Sequence, residues 1–144
     1  MSSLQEQIQA RMLAVLLGTT DAGASVTRSR EMFLARDAQL AIGIFPGPET
    51  DSAFSRSTDE YELLVSVEVF ARGDPWCSAA DAVVVQAHRL LMTDIVLLGL
   101  VTRMRRASRT PLDEDPDKTA GVYQLDYRIR YLSNASDLSD GNIN

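Results

Sequence analysis

Apolar and polar positions repeat with two different periods along this chain, and the switches between them mark out the elements. Over residues 3–17, Leu4, Ile8, Met12, Val15 and Leu16 recur at helical spacing while Gln5, Gln9 and Arg11 fall opposite, which predicts an amphipathic helix. Ser3 with Glu6 three residues later fits a capping box, and Gly18 supplies a stop. Two short extended segments follow. Residues 25–33 hold β-formers with charge interleaved, and residues 40–45 are apolar up to the breaker cluster Pro46-Gly47-Pro48. Residues 49–59 are polar and aperiodic and read as a solvated loop.

The clearest strand is 61–72, where Tyr61, Leu63, Val65, Val67 and Val69 make one fully apolar face. Gly73 ends it. Asp74 as N-cap and Pro75 at the first helical position open a second helix, to about Met92, with Trp76, Ala80, Val83, Val84, Ala87, Leu90 and Leu91 on its buried stripe. Residues 100–107 and 122–132 read as strands. In the latter Tyr123, Leu125, Tyr127, Ile129 and Tyr131 share one face, and Gln124, Asp126, Arg128 and Arg130 share the other. Between them lies an acidic connection, residues 111–117. The predicted order is α-β-β-β-α-β-β. That makes an α+β, two-layer sandwich, with a mainly antiparallel or mixed sheet carrying two helices on one face and the last two strands forming a hairpin. The expected organisation is one domain over residues 1–133 and a polar, fraying tail over 134–144.

The sheet face away from the helices is expected to carry Glu62, Glu68, Arg103, Arg105, Asp126, Arg128 and Arg130. Two readings of it stand open. One is a solvated face with cross-strand pairs; the other is a subunit contact built on charge complementarity. Arg103, Arg105, Arg106 and Arg109 form the densest basic cluster. No aromatic residue is interleaved for base stacking, so pairing with the nearby acidic run, within or between subunits, is the better reading.

Composition narrows the chemistry. A net charge of -6 argues against general nucleic-acid binding, although it leaves room for DNA to pass without being gripped. Single Cys77 cannot form an internal disulfide. No apolar run reaches membrane-spanning length, so no membrane partner is expected, and the N-terminus lacks the basic start of a signal peptide. Single His88 has no cysteine or second histidine at metal spacing, and lies too far along the same helix to activate Cys77. Glycine-rich phosphate loops are missing, and Asp113, Glu114, Asp115 and Asp117 lack the ligand ladder of a calcium loop. No enzyme activity, metal or cofactor is expected.

Three stretches carry a family resemblance. The first is Tyr61-Glu62-Leu63-Leu64-Val65-Ser66-Val67-Glu68-Val69-Phe70-Ala71-Arg72-Gly73, leading into Ala80-Asp81-Ala82. The second is Leu90-Leu91-Met92-Thr93-Asp94 followed by Leu98-Gly99-Leu100. The third is Ala120-Gly121-Val122-Tyr123-Gln124-Leu125-Asp126-Tyr127-Arg128-Ile129-Arg130-Tyr131, with Asp137-Leu138-Ser139 after it. In order, spacing and total length the chain resembles the tail-terminator (tail-completion) proteins of long-tailed bacteriophages and phage-like particles. It departs at Ser133-Asn134, where members often carry a threonine.

The resemblance implies a non-enzymatic virion subunit. It implies a homohexameric ring that caps the head-proximal end of the tail tube, assembled in the host cytoplasm. Its implied partners are itself, the tail tube protein, the head-completion or connector protein, and DNA passing through the lumen without sequence-specific contact. The candidate interface residues are Arg103, Arg105, Asp113, Glu114, Asp115, Asp117, Arg128 and Arg130. The alternatives are another head–tail joining or minor tail protein, or a small α+β ligand-binding domain.

Overall fold

The computed structural model describes residues 2–34, 36–113 and 119–141. The chain is an α+β fold. Its elements in order are α1 (Leu4–Leu16), β1 (Val26–Thr27), α2 (Arg30–Leu34), β2 (Leu40–Ala53), β3 (Thr58–Arg72), α3 (Trp76–Thr93), α4 (Ile95–Leu100), β4 (Arg103–Asp113) and β5 (Ala120–Asn134). The five strands lie in the order β1-β2-β3-β5-β4; β1 runs parallel to β2 and every other pairing is antiparallel. The centre is the β3–β5 pair, in unbroken register from Thr58 opposite Asn134 to Arg72 opposite Ala120.

Both long helices cover one face of this sheet. Leu63, Val65 and Val67 of β3 and Leu125, Tyr127 and Ile129 of β5 meet Ile8, Met12 and Leu16 of α1 and Ala80, Val83 and Leu91 of α3 in one buried cluster. Each Val, Leu, Ile or Met among them contributes roughly 1.5–3 kcal/mol by leaving water, so the period-2 and period-3.6 faces drive the layering. The expected capping box at α1 is half formed. Ser3 Oγ accepts from the Glu6 N–H, but the Glu6 carboxylate is taken by Arg28 instead of reaching back. Gly18 leaves the helix at φ +75°, a left-handed conformation that glycine adopts without strain.

The other face is not wholly open. Residues 25–33, expected to be extended, hold only the two-residue β1 before α2 begins. The reason is local polar chemistry: Thr27 Oγ1 accepts from the Ser29 N–H and Ser29 Oγ accepts from the Met32 N–H, which turns the chain and starts a helix. Phe33 of α2 then seals a second small cluster with Ala41, Phe45, Phe70, Ala120 and Val122 at one end of the sheet.

Further differences from the sequence reading have identifiable causes. Pro46-Gly47-Pro48 does not end β2. Gly47 and Pro48 bulge opposite Leu64, and the strand resumes at Glu49 opposite Leu63, so most of the expected 49–59 loop is strand. Among the described residues nothing pairs with the outer side of β2 beyond Gly43, and an edge strand tolerates residues that lack an N–H. A Cβ on Gly47 would lie 3.0 Å from the Leu64 carbonyl oxygen, which explains a small residue there. At α3, Pro75 and not Asp74 is the N-cap, with extended backbone and no side-chain capping bond, so the helix starts one residue later than expected.

Asp94 starts α4 by accepting from the Leu97 N–H at 2.8 Å, so the strand expected from Leu100 begins at Arg103 and runs past Pro111 to Asp113. The expected fraying after Ser133 is not seen over residues 135–141. Asn134 N–H donates to Asp140 O, and Leu4 N–H to Leu138 O, tying this segment to the start of α1.

Candidate functional site

The open part of the uncovered sheet face is where the sequence-predicted residues gather. Pairing sets Arg103 of β4 opposite Arg130 of β5, and Arg105 opposite Arg128. On the far side of β5, Glu62 of β3 stands opposite Arg130. The four guanidinium groups line a shallow cavity of about 100 Å³. Arg128 Nε and Arg130 Nε approach the two oxygens of Glu62 at 3.1 and 3.2 Å. Only the second contact has hydrogen-bond geometry; Arg128 Nε is buried and badly angled toward its carboxylate. Among the described residues, Arg103 and Arg105 have no ion-pair or hydrogen-bond partner.

Like charges directly opposite on neighbouring strands are destabilising, and one carboxylate cannot balance four guanidiniums. The patch therefore holds a surplus of positive charge in a chain that is acidic as a whole. Such an arrangement suits an anionic group supplied from outside, since guanidinium forks bind carboxylate or phosphate oxygens in pairs.

Two of the four β4 arginines lie elsewhere. The β4–β5 register shifts between Arg106 and Ser108, so the alternation reverses at that bulge. Arg109 thus faces the helices, where its Nη2 donates to Asp81 at 2.7 Å and its guanidinium lies 4.0 Å over the Tyr123 ring. Arg106 lies on that side too, near His88 and Tyr127. Asp113 is the last residue of β4, opposite Gly121, at the far end of the hairpin from Arg103. Its side chain, with Glu114, Asp115 and Asp117, falls outside the described residues.

Toward α2 the same face becomes polar and then apolar. Ser108 Oγ donates to Asp126 at 2.9 Å. Glu68, expected on the uncovered face, lies on it but is buried: Arg30 of α2 donates to both its oxygens at 2.9 and 2.8 Å, and the guanidinium sits 3.5 Å over the Phe45 ring. This pair was missed in the sequence because its partner belongs to the unexpected helix.

His88, Tyr127, Tyr131 and Cys77 lie away from this patch, the two tyrosines within the main core. His88 Nδ1 and the Tyr127 hydroxyl lie 2.8 Å apart. Burial, reinforced by Arg106, holds the imidazole below its ordinary pKa, and burial pushes Tyr127 up to about 12. The Tyr131 hydroxyl donates to Glu49 beside Tyr61, and burial with that carboxylate raises the Tyr131 pKa. Cys77 packs half-buried against the main core. Among the described residues no cluster of His, Cys, Asp or Glu could hold a metal ion, and no helix is long and apolar enough to cross a membrane.

No protein-family model matches the chain, and a search of curated proteins finds no similar one. Among solved structures, a chain from the virion of a native gene transfer agent particle aligns with 89% of this chain and 90% of its own length, at 11% identity and a TM-score of 0.49.

Proposed function

We propose that this chain is the tail terminator of a long-tailed bacteriophage or phage-like particle. In this reading it is a non-enzymatic subunit of a homohexameric ring that caps the head-proximal end of the tail tube. The ring stops tube growth and offers the next surface to the head-completion or connector protein, and the genome passes through its lumen ungripped.

The sequence resemblance supplies the family. Its first and third stretches are the adjacent central strands β3 and β5; the second is the end of α3 with α4. The observation that carries the reading is the patch of four arginines with one carboxylate, set on an open sheet face beside the unpaired edge of β4. A surface of that kind serves association. Ring formation needs two different surfaces meeting head to tail with a rotation that closes. A subunit with one tube-binding side would halt growth because it offers the tube protein no further docking surface.

Negative-stain microscopy of the purified chain mixed with tail tubes tests this directly. The expected outcome is a ring-shaped cap at one end of each tube and no further elongation when tube protein is added. Tubes that stay uncapped and keep growing in excess chain would overturn it.

A further inference from the structure

The arginine patch lacks a counter-charge, and its chemistry and position point to a specific occupant. Within the patch, four arginines less Glu62 leave three positive charges, and Asp126, the next carboxylate along β5 on this face, is engaged by Ser108 and Gln124. The connection after β4 carries Asp113, Glu114, Asp115 and Asp117, which less Lys118 leaves three negative charges. These two features cannot meet within one chain. Arg105 and Arg103 precede Asp113 by eight and ten residues along β4, roughly 26–33 Å of extended backbone. Only five residues separate Asp113 from Thr119, and a chain that must go out and return reaches about 10 Å at most.

We infer that the patch formed by Arg103, Arg105, Arg128 and Arg130 receives the acidic β4–β5 connection, residues 113–117, of a neighbouring copy. This deepens the ring reading and rests on it for the presence of that copy. Receptor and donor sit at opposite ends of one hairpin, so each chain can give at one end and take at the other. Such a contact is head-to-tail by construction and propagates around a ring. The carboxylates would satisfy the unpartnered Arg103 and Arg105 and relieve the like-charge pairs Arg103–Arg130 and Arg105–Arg128.

The test is a charge swap between two variants of the full chain, R103E/R105E and E114K/D115K, followed by sedimentation velocity. Circular dichroism and Trp76 emission check that each monomer is folded. Each variant alone is expected to associate more weakly than wild type by on the order of tenfold or more, because its own donor and receptor then repel. Mixed one to one, the acidic donor of the first meets the basic receptor of the second and the lysine donor of the second meets the glutamate receptor of the first. Association should return, and wild-type association should weaken as salt rises. Variants that associate as wild type does, or a mixture that fails to recover, overturn the contact. So does a wild type that stays monomeric at every concentration reached. Loss in R103E/R105E alone assigns the patch to an anion outside this chain, nucleic-acid phosphate included, and also overturns it. Tubes capped equally by wild type and both variants keep the terminator reading and remove this contact. Mixed species that assemble but never cap a tube do the reverse.

Discussion

Two ion pairs join elements far apart in sequence, and each makes a prediction at the level of single side chains. Asp94 accepts from the Leu97 N–H and from two nitrogens of Arg11, each at 2.8 Å, so one carboxylate caps α4 and ties it to α1. The Arg11 guanidinium, and then the Leu97 N–H, lower its pKa from 3.8 to about 2. A depressed carboxylate contributes stability that is complete above its unfolded value and is lost as pH falls through the folded one. Asp94→Asn should therefore melt below wild type at neutral pH, with the gap closing between about pH 5 and pH 2. Thermal melts across that range check it, and a gap independent of pH would remove the carboxylate charge as the cause.

The Arg30–Glu68 pair is asymmetric: the Glu68 side chain is 11% exposed and that of Arg30 is 49%. Arg30→Leu strands a buried carboxylate, whereas Glu68→Leu leaves an arginine that can turn to water. The first should cost about 1–3 kcal/mol more than an exposed pair would, the second less, and the double variant should recover part of the loss. Urea denaturation of the three variants decides the order.

At the scale of elements, the docking of α3 on the sheet depends on a gap in β5. A Cβ on Gly121 would lie 2.3 Å from Trp76 Cε2, so the indole at the start of α3 occupies the space that any other residue would fill. Gly121→Ala should destabilise by about 1–3 kcal/mol through overpacking. Gly99 in α4 meets nothing within 4 Å, and Gly99→Ala should be neutral or stabilising by about 0.4–1 kcal/mol. Emission from Trp76, the only tryptophan, reads both in urea, and equal effects would deny the steric account.

The same elements show which parts of the structure were legible in the sequence. β3 and β5 were plain because each keeps one apolar face without interruption, and α1 and α3 because their stripes hold the helical period over several turns. α2 was not, since five residues are too few for periodicity and its helix rests on the Ser29 cap and the burial of Phe33. The bulges at Gly47-Pro48 and after Arg106 were not either, because an extra residue changes facing without any polarity signal. So alternation placed Arg103, Arg105, Arg128 and Arg130 together, while Arg109 and the opposition of arginine to arginine needed the strand register.

Over the whole molecule, the sheet has two unpaired edges of different character. Among the described residues, β1 covers β2 only at Ile42 and Gly43, leaving the rest of that edge free, and β4 is free along its outer side. Pro46, Pro48 and Pro111 interrupt these edges, which discourages indiscriminate strand addition and leaves charge to select the partner. Central β3 is paired on both sides, so in the isolated chain its amides should exchange slowest, with residues 54–57 at the hairpin tip far faster. Assembly should change this map in one region. If copies meet through the arginine patch and the β4–β5 connection, peptides covering 103–113 and 126–130 should gain protection on tail tubes, while those from the middle of α1 and α3 keep their free-state rates. Hydrogen exchange read by mass spectrometry on free and tube-bound chain resolves these segments separately. Protection that rises on the helical layer and leaves 103–113 unchanged would mean that the ring, if one forms, is built from the opposite side of the sheet, and that the surplus of arginine on the open face answers to something else.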